Sequence, residues 1–336
     1  MTSRIHIPAS IDKGIAEMTT TSPTTAAARH LLALDWGTSS LRARLMTANG
    51  MVLRESSSAD GILSVPAQGF EAVFEQRFGD WLREFPDTVV LAAGMVGSRQ
   101  GWVEAPYLAC PAGFAEMAAG LVWPMPDRRL AFVPGLSTMQ ADGSPDVMRG
   151  EEVQIFGALD ALAADEGIFV LPGTHSKWAL VQQRQVRSFH TFMTGELYAL
   201  LRRQSILARA MPDDDAAPGL AWPAQREAFM AGVQAARDGV LLHKLFSVRA
   251  RGLFGQLPAE AQPDHLSGML VGEEIREALS LLGTRDPGPV HLVCNADLCE
   301  RYQGALEVFG VHGRAAADNA SFRGLLAIAH ARDLLV

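Results

Sequence analysis

Two short segments with the same layout lie 136 positions apart, counted from Gly37 to Gly173, and they constrain the fold more than any other feature. Each begins with an apolar run, at residues 31–35 and 168–171, and passes through a turn rich in Gly, Thr and Ser before a second run begins. Strands with one buried face alternate with a period of two, and this layout predicts a β-hairpin in both segments. Because each hairpin opens one half of the chain, the sequence predicts two related halves.

The length of the chain predicts two domains, since 336 residues exceed one ordinary hydrophobic core. Hydrophobic residues make up 48% and charged residues 20%, a composition typical of globular proteins. Residues 1–29 include a stretch rich in Thr, Ala, Ser and Pro and are predicted to form a flexible extension. We then expect one domain over residues 30–166 and another over 167–336, with the last helix, 322–335, packing back on the first domain.

Periodic patterns outside the hairpins predict a mixture of helices and strands. Helices are expected at residues 70–85, 151–163, 194–207, 225–246, 266–282, 298–309 and 322–335, strands at 89–91, 130–133 and 290–294, and a polar loop at 211–223. This alternation along the chain predicts the α/β class.

Charge and cysteine content argue against several partners. A net charge of −8 argues against nucleic acid and anionic membranes, which require clustered Lys and Arg. Three cysteines without zinc-site spacing predict reduced thiols in a cytoplasmic protein. No apolar run reaches the length of a transmembrane helix, and the N-terminus lacks the apolar core of a secretory signal. The negative net charge is compatible with a small anionic substrate, which needs only a few positive groups in its site. A homo-oligomer is also compatible with the sequence.

The residues of the two turns suit phosphate binding. A phosphate site needs converging backbone N–H groups, a residue without Cβ at the closest approach, and hydroxyl groups. Gly37, Thr38 and Ser39 supply these features, and Asp35 adds a carboxylate that can hold Mg²⁺ directly or through water. An ordinary turn is the alternative for either hairpin alone. The P-loop and Rossmann patterns are absent, as are the HExxH and GxSxG patterns of metalloproteases and hydrolases.

Six strings extend this pattern into a family resemblance. They occupy residues 34–43, 94–98, 105–108, 147–152, 172–178 and 193–197, and weaker similarity continues to residue 331. In this order they resemble the 2-dehydro-3-deoxygalactonokinases, a family within the sugar kinase, Hsp70 and actin superfamily. The resemblance implies two actin-like (ribonuclease H-like) ATPase domains with the active site in the cleft between them. It also implies an ATP- and Mg²⁺-dependent kinase that phosphorylates the 6-hydroxyl of 2-dehydro-3-deoxy-D-galactonate in galactonate catabolism.

Phosphoryl transfer mainly requires positioning and charge neutralisation, which gives the residues of these strings expected roles. Glu151 is expected to accept the proton of the attacking hydroxyl, with Glu152 as second candidate. The alternative is that both acids only favour the helix dipole. Lys177 is expected to neutralise phosphate charge, unless it is a solvated lysine at a strand edge. Phosphate and nucleotide contacts are predicted for Asp35, which is also the metal ligand, Gly37, Thr38, Ser39, Gly173, Thr174, His175, Ser176, Lys177, Asn295 and Ala296.

The sugar acid brings one carboxylate and several hydroxyl groups to the site. Arg149 or Arg99 is expected to pair with the carboxylate, because the guanidinium offers a planar fork. A surface position is the alternative for each arginine. Further substrate contacts are predicted for Gly94, Met95, Ser98, Trp102, Tyr107 and Glu196, and a place in the core is the alternative for the two aromatic residues.

One string departs from the family pattern. Where relatives carry a glycine-containing turn after the adenosine strand, this chain has Cys294-Asn295-Ala296-Asp297. Asn tolerates left-handed backbone geometry, so we expect the turn to survive with an altered approach to the adenine.

Other functions stay open on the sequence alone. They are a kinase of the gluconate epimer or another sugar acid, a non-catalytic nucleotide or sugar sensor of the same fold, a hydrolase and a structural protein of the actin type. Sensors of this superfamily often carry a DNA-binding helix-turn-helix, for which residues 1–29 are too short and too polar. No nucleophile motif supports a hydrolase. ATP turnover that depends on an acceptor sugar acid distinguishes the kinase from a hydrolase.

Overall fold

A computed structural model of the chain describes residues 28–65, 69–212, 224–283, 288–316 and 319–336. The predicted extension up to residue 27, and residues 213–223 of the predicted polar loop, lie outside these ranges. The strands are β1 His30–Trp36, β2 Leu41–Thr47, β3 Val52–Ser58, β4 Thr88–Ala93, β5 Tyr107–Ala109, β6 Val122–Met125, β7 Leu130–Phe132, β8 Gly135–Met139, β9 Pro145–Met148, β10 Gly167–Leu171, β11 Ser176–Gln182, β12 Gln185–Phe192, β13 Val290–Leu292 and β14 Gly313–Ala315. The helices are α1 Gly69–Glu84, α2 Phe114–Ala119, α3 Glu151–Leu162, α4 Thr194–Gln204, α5 Ala224–Ala236, α6 Leu241–Leu253, α7 Gln262–Leu281, α8 Ala296–Val308 and α9 Ala320–Ala331.

Two of the sheets share one strand order. The first reads β3-β2-β1-β4-β7-β6 and the second reads β12-β11-β10-β13-β14, while β5, β8 and β9 form a smaller sheet. In the first, β1 pairs antiparallel with β2 and parallel with β4. In the second, β10 pairs in the same way with β11 and β13. Both predicted hairpins are therefore present, and the predicted α/β class with two actin-like units is confirmed.

Helices α3 and α9 touch backbone to backbone. A Cβ built on Gly157 would lie 1.8 Å from the carbonyl oxygen of Ala320, and one on Gly324 would lie 1.9 Å from that of Val153. Since real Cβ atoms are not found at such distances, only glycine fits at both positions. Helix α9 also contacts β1, and apolar residues of α3, α9, β1 and β4 share one core cluster. This packing holds α3 in place, and α3 begins at Glu151.

The predicted helix over residues 225–246 is wrong, because the chain forms two helices there. Left-handed backbone at Gly239 (φ 77°) and Val240 (φ 61°) separates α5 from α6. A right-handed helix cannot continue through such residues. Both helices pack on α7, so apolar residues continue across the break. This continuous pattern is why the sequence predicts a single helix. Among the described residues, no helix is long and apolar enough to cross a membrane.

Candidate active site

The first turn, between β1 and β2, is supported from behind and exposed in front. Gly37 donates its N–H to the carbonyl of Ser40 at 2.9 Å and closes the hairpin. Residues 62 and 63 donate their backbone N–H groups to the carbonyls of Gly37 and Thr38, at 3.0 and 3.2 Å. The side chains of Thr38 and Ser39 are exposed. This arrangement gives a fixed turn whose hydroxyl groups are free to meet an anion.

Asp35, the predicted metal ligand, forms an ion pair with Arg42 across the hairpin, and its side chain is 16% exposed. The two residues face each other in the β1–β2 register. No group of three or more His, Cys, Asp or Glu that could hold a metal occurs in the part of the chain that the structure describes. Mg²⁺ in phosphate sites commonly uses one or two carboxylates together with phosphate oxygens and water. One carboxylate at the edge of the turn therefore fits such a site, and sequence analysis missed its arginine partner.

The second turn, between β10 and β11, exposes Gly173, Thr174 and His175. Ser176, in contrast, is completely buried. Its Oγ accepts the N–H of Gly173 at 3.3 Å and lies 3.3 Å from the hydroxyl of Tyr302. In this structure the Ser176 hydroxyl therefore faces the interior and holds the turn from behind.

The start of α4 packs on this second turn. Glu196 donates its backbone N–H to the carbonyl of Thr174 at 3.0 Å, and its carboxylate contacts Nε2 of His175 at 2.5 Å. Both side chains are partly exposed, at 49% for His175 and 39% for Glu196. Glu196, which was predicted to contact substrate, thus lies beside the second turn and pairs with its histidine.

Three backbone segments meet around two glycines with positive φ. Gly94 has φ 93° and Gly150 has φ 102°. A Cβ on Gly94 would lie 2.9 Å from the carbonyl oxygen of Trp36, and one on Gly150 would lie 3.3 Å from Cα of Gly94. These contacts bring the first turn, the loop that begins at Gly94 and the start of α3 together. The predicted phosphate, substrate and base residues therefore share one region.

Glu151, the first residue of α3, connects this region to the second hairpin. Its Oε1 lies 3.1 Å from Nζ of Lys177, and its Oε2 accepts the N–H of Arg149 at 3.1 Å. Nζ of Lys177 also donates to the carbonyl of His175 at 3.2 Å. The Lys177 side chain is 4% exposed, so the alternative of a solvated lysine is wrong. The Glu151 carboxylate is 26% exposed and remains open to a ligand.

Glu152 has a different environment. It is fully buried, and its two carboxyl oxygens accept the N–H of Gly150 at 2.9 and 2.7 Å. Burial, with the neighbouring charge of Glu151 as a smaller cause, raises the pKa of Glu152 to about 8. Glu152 therefore caps the start of α3, and Glu151, whose side chain is 26% exposed, is the more accessible of the two acids.

The Glu152→Gln variant is expected to raise the thermal unfolding midpoint, and to raise it more at pH 8 than at pH 5. The pKa of Glu152 lies above its ordinary value of 4.5, at about 8, so the folded state keeps a proton that the unfolded chain releases. Between these values, this group removes about 1.4 kcal/mol of unfolding free energy per pH unit from the wild type. Glutamine stays neutral and keeps one acceptor for Gly150. Circular dichroism melts at both pH values measure the difference.

The matched control is Glu227→Gln, which removes an exposed acid in the first turn of α5. We expect this control to shift the midpoint equally at both pH values. If Glu152→Gln also gave equal shifts, Glu152 would not be protonated in the folded protein.

The predicted substrate residues separate into two groups. Arg149 is 8% exposed, donates from Nη2 to the carbonyl of Ala105 at 2.7 Å, and stacks 4.3 Å above the ring of Tyr107. Within the described residues, Nε and Nη1 of Arg149 and Oγ of Ser98 are buried without a hydrogen-bond partner. Unpaired buried donors of this kind are costly, which marks Arg149 and Ser98 as candidates for contact with a polar ligand.

Three other predicted substrate residues have different surroundings. Trp102 packs in an aromatic cluster with Trp36, Phe70, Phe74 and Phe132, which is the alternative that the sequence left open. Arg99 is exposed at the end of the loop, and Met95 is half-buried in it. Arg149 is thus the better-supported partner for a carboxylate.

A pocket of about 440 Å³ opens beside the second turn. Helices α4, α7 and α8 form its walls, and the lining residues are Pro172, Gly173, Thr174, Thr194, Gly195, Tyr198, Asp264, Ser267, Leu270, Val271, Leu298, Arg301 and Tyr302. Its mixture of apolar walls and a few polar groups, next to the predicted phosphate turn, suits a nucleoside. Sequence analysis gave no role to Asp264 or Arg301, which form an ion pair at 2.9 Å, although Arg301 lies in a region of weaker family similarity.

Asn295 does not take the left-handed backbone that asparagine tolerates. Asn295 has φ −68° and caps α8, since its Oδ1 accepts the N–H of Leu298 at 2.9 Å. Ala296 follows as the first, exposed residue of that helix. Asn295 also lines a second pocket, of about 420 Å³, together with Arg42 and Gln154. The segment after β13 therefore leads directly into α8 through an asparagine cap.

The sequence model of the 2-keto-3-deoxy-galactonokinases matches residues 35–328. The chain belongs to this family. A Rhizobium meliloti (strain 1021) protein named as a 2-dehydro-3-deoxygalactonokinase is 38% identical over 309 residues, which are 90% of this chain and 98% of that protein. The 2-dehydro-3-deoxygalactonokinase of Escherichia coli (strain K12) is 34% identical, over 89% of this chain and 97% of its own length.

A solved structure supports the same relationship. The crystal structure of a 2-dehydro-3-deoxygalactonokinase protein from Sinorhizobium meliloti matches with a TM-score of 0.81 and 38% identity, over 90% of this chain and 98% of that one. The predicted family resemblance and the predicted phosphotransferase class are therefore confirmed. The roles of individual residues within the galactonokinase family site stay predictions.

Proposed function

We propose that this member of the galactonokinase family transfers a phosphoryl group from ATP to the 6-hydroxyl of 2-dehydro-3-deoxy-D-galactonate. The observation that carries the proposal is the contact between Glu151 and Lys177, 3.1 Å apart. It brings an acid at the start of α3 next to a cation of the second phosphate hairpin. Phosphoryl transfer needs a proton acceptor and charge neutralisation at one place, and this pair supplies both.

The two turns supply the phosphate contacts in this proposal. Thr38 and Ser39 of the first turn and Thr174 and His175 of the second are exposed, and each turn is fixed by backbone hydrogen bonds. Asp35 would hold Mg²⁺ through water at the edge of the first turn. That ion supplies neutralisation of the phosphate oxygens. The nucleoside occupies the pocket between α4, α7 and α8.

Glu151 orients the acceptor hydroxyl and receives its proton. Its Oε2 is held by the N–H of Arg149 while its Oε1 faces Lys177, so the carboxylate has one fixed orientation. Lys177 is held in turn by the carbonyl of His175, which fixes the positive charge beside the second turn. A base that is fixed before the substrate arrives loses no orientation entropy in the reaction.

Arg149 recognises the carboxylate of the acceptor. Its guanidinium is held by Ala105 and by the ring of Tyr107, and its Nε and Nη1 have no hydrogen-bond partner among the described residues. Ser98 adds a hydroxyl group near the same loop. Because a buried, unpaired cation favours an anion, a sugar acid fits this position better than a neutral sugar.

We further propose two domains, over residues 30–166 and 167–336, with the cleft between them as the site. The repeated strand order of the two larger sheets supports this division. Three free cysteines support a cytoplasmic location.

A coupled assay of ADP release with Mg·ATP tests the proposal. We expect rapid release with 2-dehydro-3-deoxy-D-galactonate, slower release with its gluconate epimer and almost none without an acceptor. Turnover that is independent of the acceptor would indicate a hydrolase. The absence of turnover with every acceptor would overturn the kinase proposal for this chain, and faster turnover with the gluconate compound would reassign its substrate.

A further inference from the structure

A carboxyl group is buried beneath the second turn. Glu274, in the middle of α7, is 3% exposed. Nε1 of Trp178 donates to its Oε1 at 2.8 Å, and the hydroxyl of Tyr302 donates to its Oε2 at 2.9 Å. The carboxyl thus ties together α7, the strand β11 and the helix α8. None of the roles assigned above uses it.

The hydrogen bonds continue from Glu274 to the turn itself. The Tyr302 hydroxyl lies 3.3 Å from Oγ of Ser176, and that Oγ accepts the N–H of Gly173 at 3.3 Å. Gly173 is exposed in the turn, and Tyr302 lines the nucleoside pocket. A single chain of contacts therefore runs from the buried carboxyl, through the wall of the pocket, to the backbone of the phosphate turn.

We infer that Glu274 is a positioning residue, which acts through Tyr302 and Ser176 to hold the turn at Gly173 in the conformation that binds nucleotide. The inference rests on the proposed function in one respect, the binding of nucleotide phosphate at this turn. It assigns Ser176 to the support of the turn and not to the phosphate. It also explains why a polar network lies in an otherwise apolar region, since Trp178 and Tyr302 both belong to the core cluster of the second large sheet.

The electrostatics of the network agree with this role. Burial raises the pKa of Glu274, and hydrogen bonds from Thr194, Trp178, Tyr302 and Ser176 act in the opposite direction. Burial also raises the pKa of Tyr302. Burial therefore opposes negative charge on both groups, which suits a position beneath a phosphate site.

Nucleotide affinity separates this role from a purely structural one. Tyr302→Phe keeps the ring in the pocket but removes the hydroxyl, and Ser176→Ala removes the next contact in the chain. Each variant is expected to raise the Kd of Mg·ADP about 3–10-fold, the effect of one lost hydrogen bond. Both residues belong to the same series of hydrogen bonds. We therefore expect the Kd of the double variant to equal that of the single variant with the higher Kd, and not the product of the two increases.

Glu274 itself is tested by a pair of variants. Glu274→Gln keeps an acceptor for Trp178 and places an amide N–H beside the Tyr302 hydroxyl, which then accepts instead of donating, whereas Glu274→Ala keeps neither contact. We expect the glutamine variant to bind Mg·ADP more tightly than the alanine variant. Because Glu274→Ala removes the centre of a buried network, a thermal melt of each variant accompanies its titration to show that it is folded. The test with Tyr302→Phe does not depend on the folding of Glu274→Ala.

Isothermal titration calorimetry with Mg·ADP on the full chain gives the Kd values without requiring turnover. Ser205→Ala is the control, because it also removes a serine hydroxyl bound to backbone, in this case the carbonyl of Leu201. A wild type that binds Mg·ADP, with unchanged Kd in Tyr302→Phe and Ser176→Ala, would overturn this inference alone. A wild type that does not bind Mg·ADP would overturn it together with the proposed nucleotide site. A wild type that binds but shows no acceptor-dependent turnover would overturn only the proposed function.

Discussion

Replacement of Glu151 by glutamine is expected to lower kcat by about 10²–10⁴-fold, the usual contribution of a positioned general base. Glutamine fills the same space and can still accept the N–H of Arg149, which Oε2 of Glu151 accepts at 3.1 Å. It cannot take a proton from the acceptor hydroxyl. We therefore expect KM for ATP and for the sugar acid to change little, so that the loss lies in kcat. Steady-state kinetics with both substrates varied measure this separation.

The neighbouring acids provide the controls for this experiment. Glu152→Gln changes a buried cap of α3 and is expected to lower kcat far less than Glu151→Gln at neutral pH. Glu227→Gln removes an exposed acid from the first turn of another helix and is expected to leave kcat unchanged. If Glu152→Gln caused the larger loss, the two acids would have to exchange roles.

Much of this site was predictable because its parts are local in sequence. An apolar run, a glycine-containing turn and a second run within about fifteen residues predict each hairpin, and both hairpins form as predicted. The acids at the start of α3 follow a glycine, as helix N-termini often do, and α3 begins where expected. The two related halves predicted from the hairpins correspond to the similar strand orders of the two large sheets.

Contacts between distant residues could not be predicted from such signals. Lys177 contacts Glu151, which lies 26 positions earlier, and its side chain is almost fully buried. No residue near Lys177 in the sequence indicates either feature. The role of Ser176 depends on Tyr302, which is 126 residues away. Polar residues at turns are usually exposed, so the buried Ser176 at the second turn is an exception to this pattern. Its partners come from α7 and α8, which fold over the turn only in the tertiary structure.

The backbone states at residues 240 and 295 could not be predicted from residue type alone. Val240 is left-handed (φ 61°), a state that valine disfavours by about 1–2 kcal/mol, so its residue type does not signal the break between α5 and α6. Asn295 is extended, as residues at helix N-caps usually are, and its Oδ1 accepts the N–H of Leu298.

The Lys177→Met variant is expected to lower kcat/KM for ATP by about 10²–10³-fold, the typical loss on removal of one preorganised electrostatic group. Methionine replaces the length of the buried side chain but not its charge. The Glu151 carboxylate then loses its partner at 3.1 Å, and the second turn loses the contact from Nζ to the carbonyl of His175. Both the binding of phosphate and the orientation of the base should suffer. Lys177→Arg is not expected to restore activity, because a guanidinium does not fit the space of a single buried ammonium group.

A double-variant cycle decides whether Lys177 and Glu151 act as a pair. If they do, the variant that combines Lys177→Met with Glu151→Gln will be little less active than the worse of the two single variants, since the second change removes a group that has already lost its function. Lys244→Met is the control, because it removes another partly buried lysine whose Nζ contacts only a carbonyl, that of Ala235, among the described residues. Losses that multiply in the double variant would mean that the two charges act on separate steps. The contact between them would then be a feature of the fold and not of the reaction.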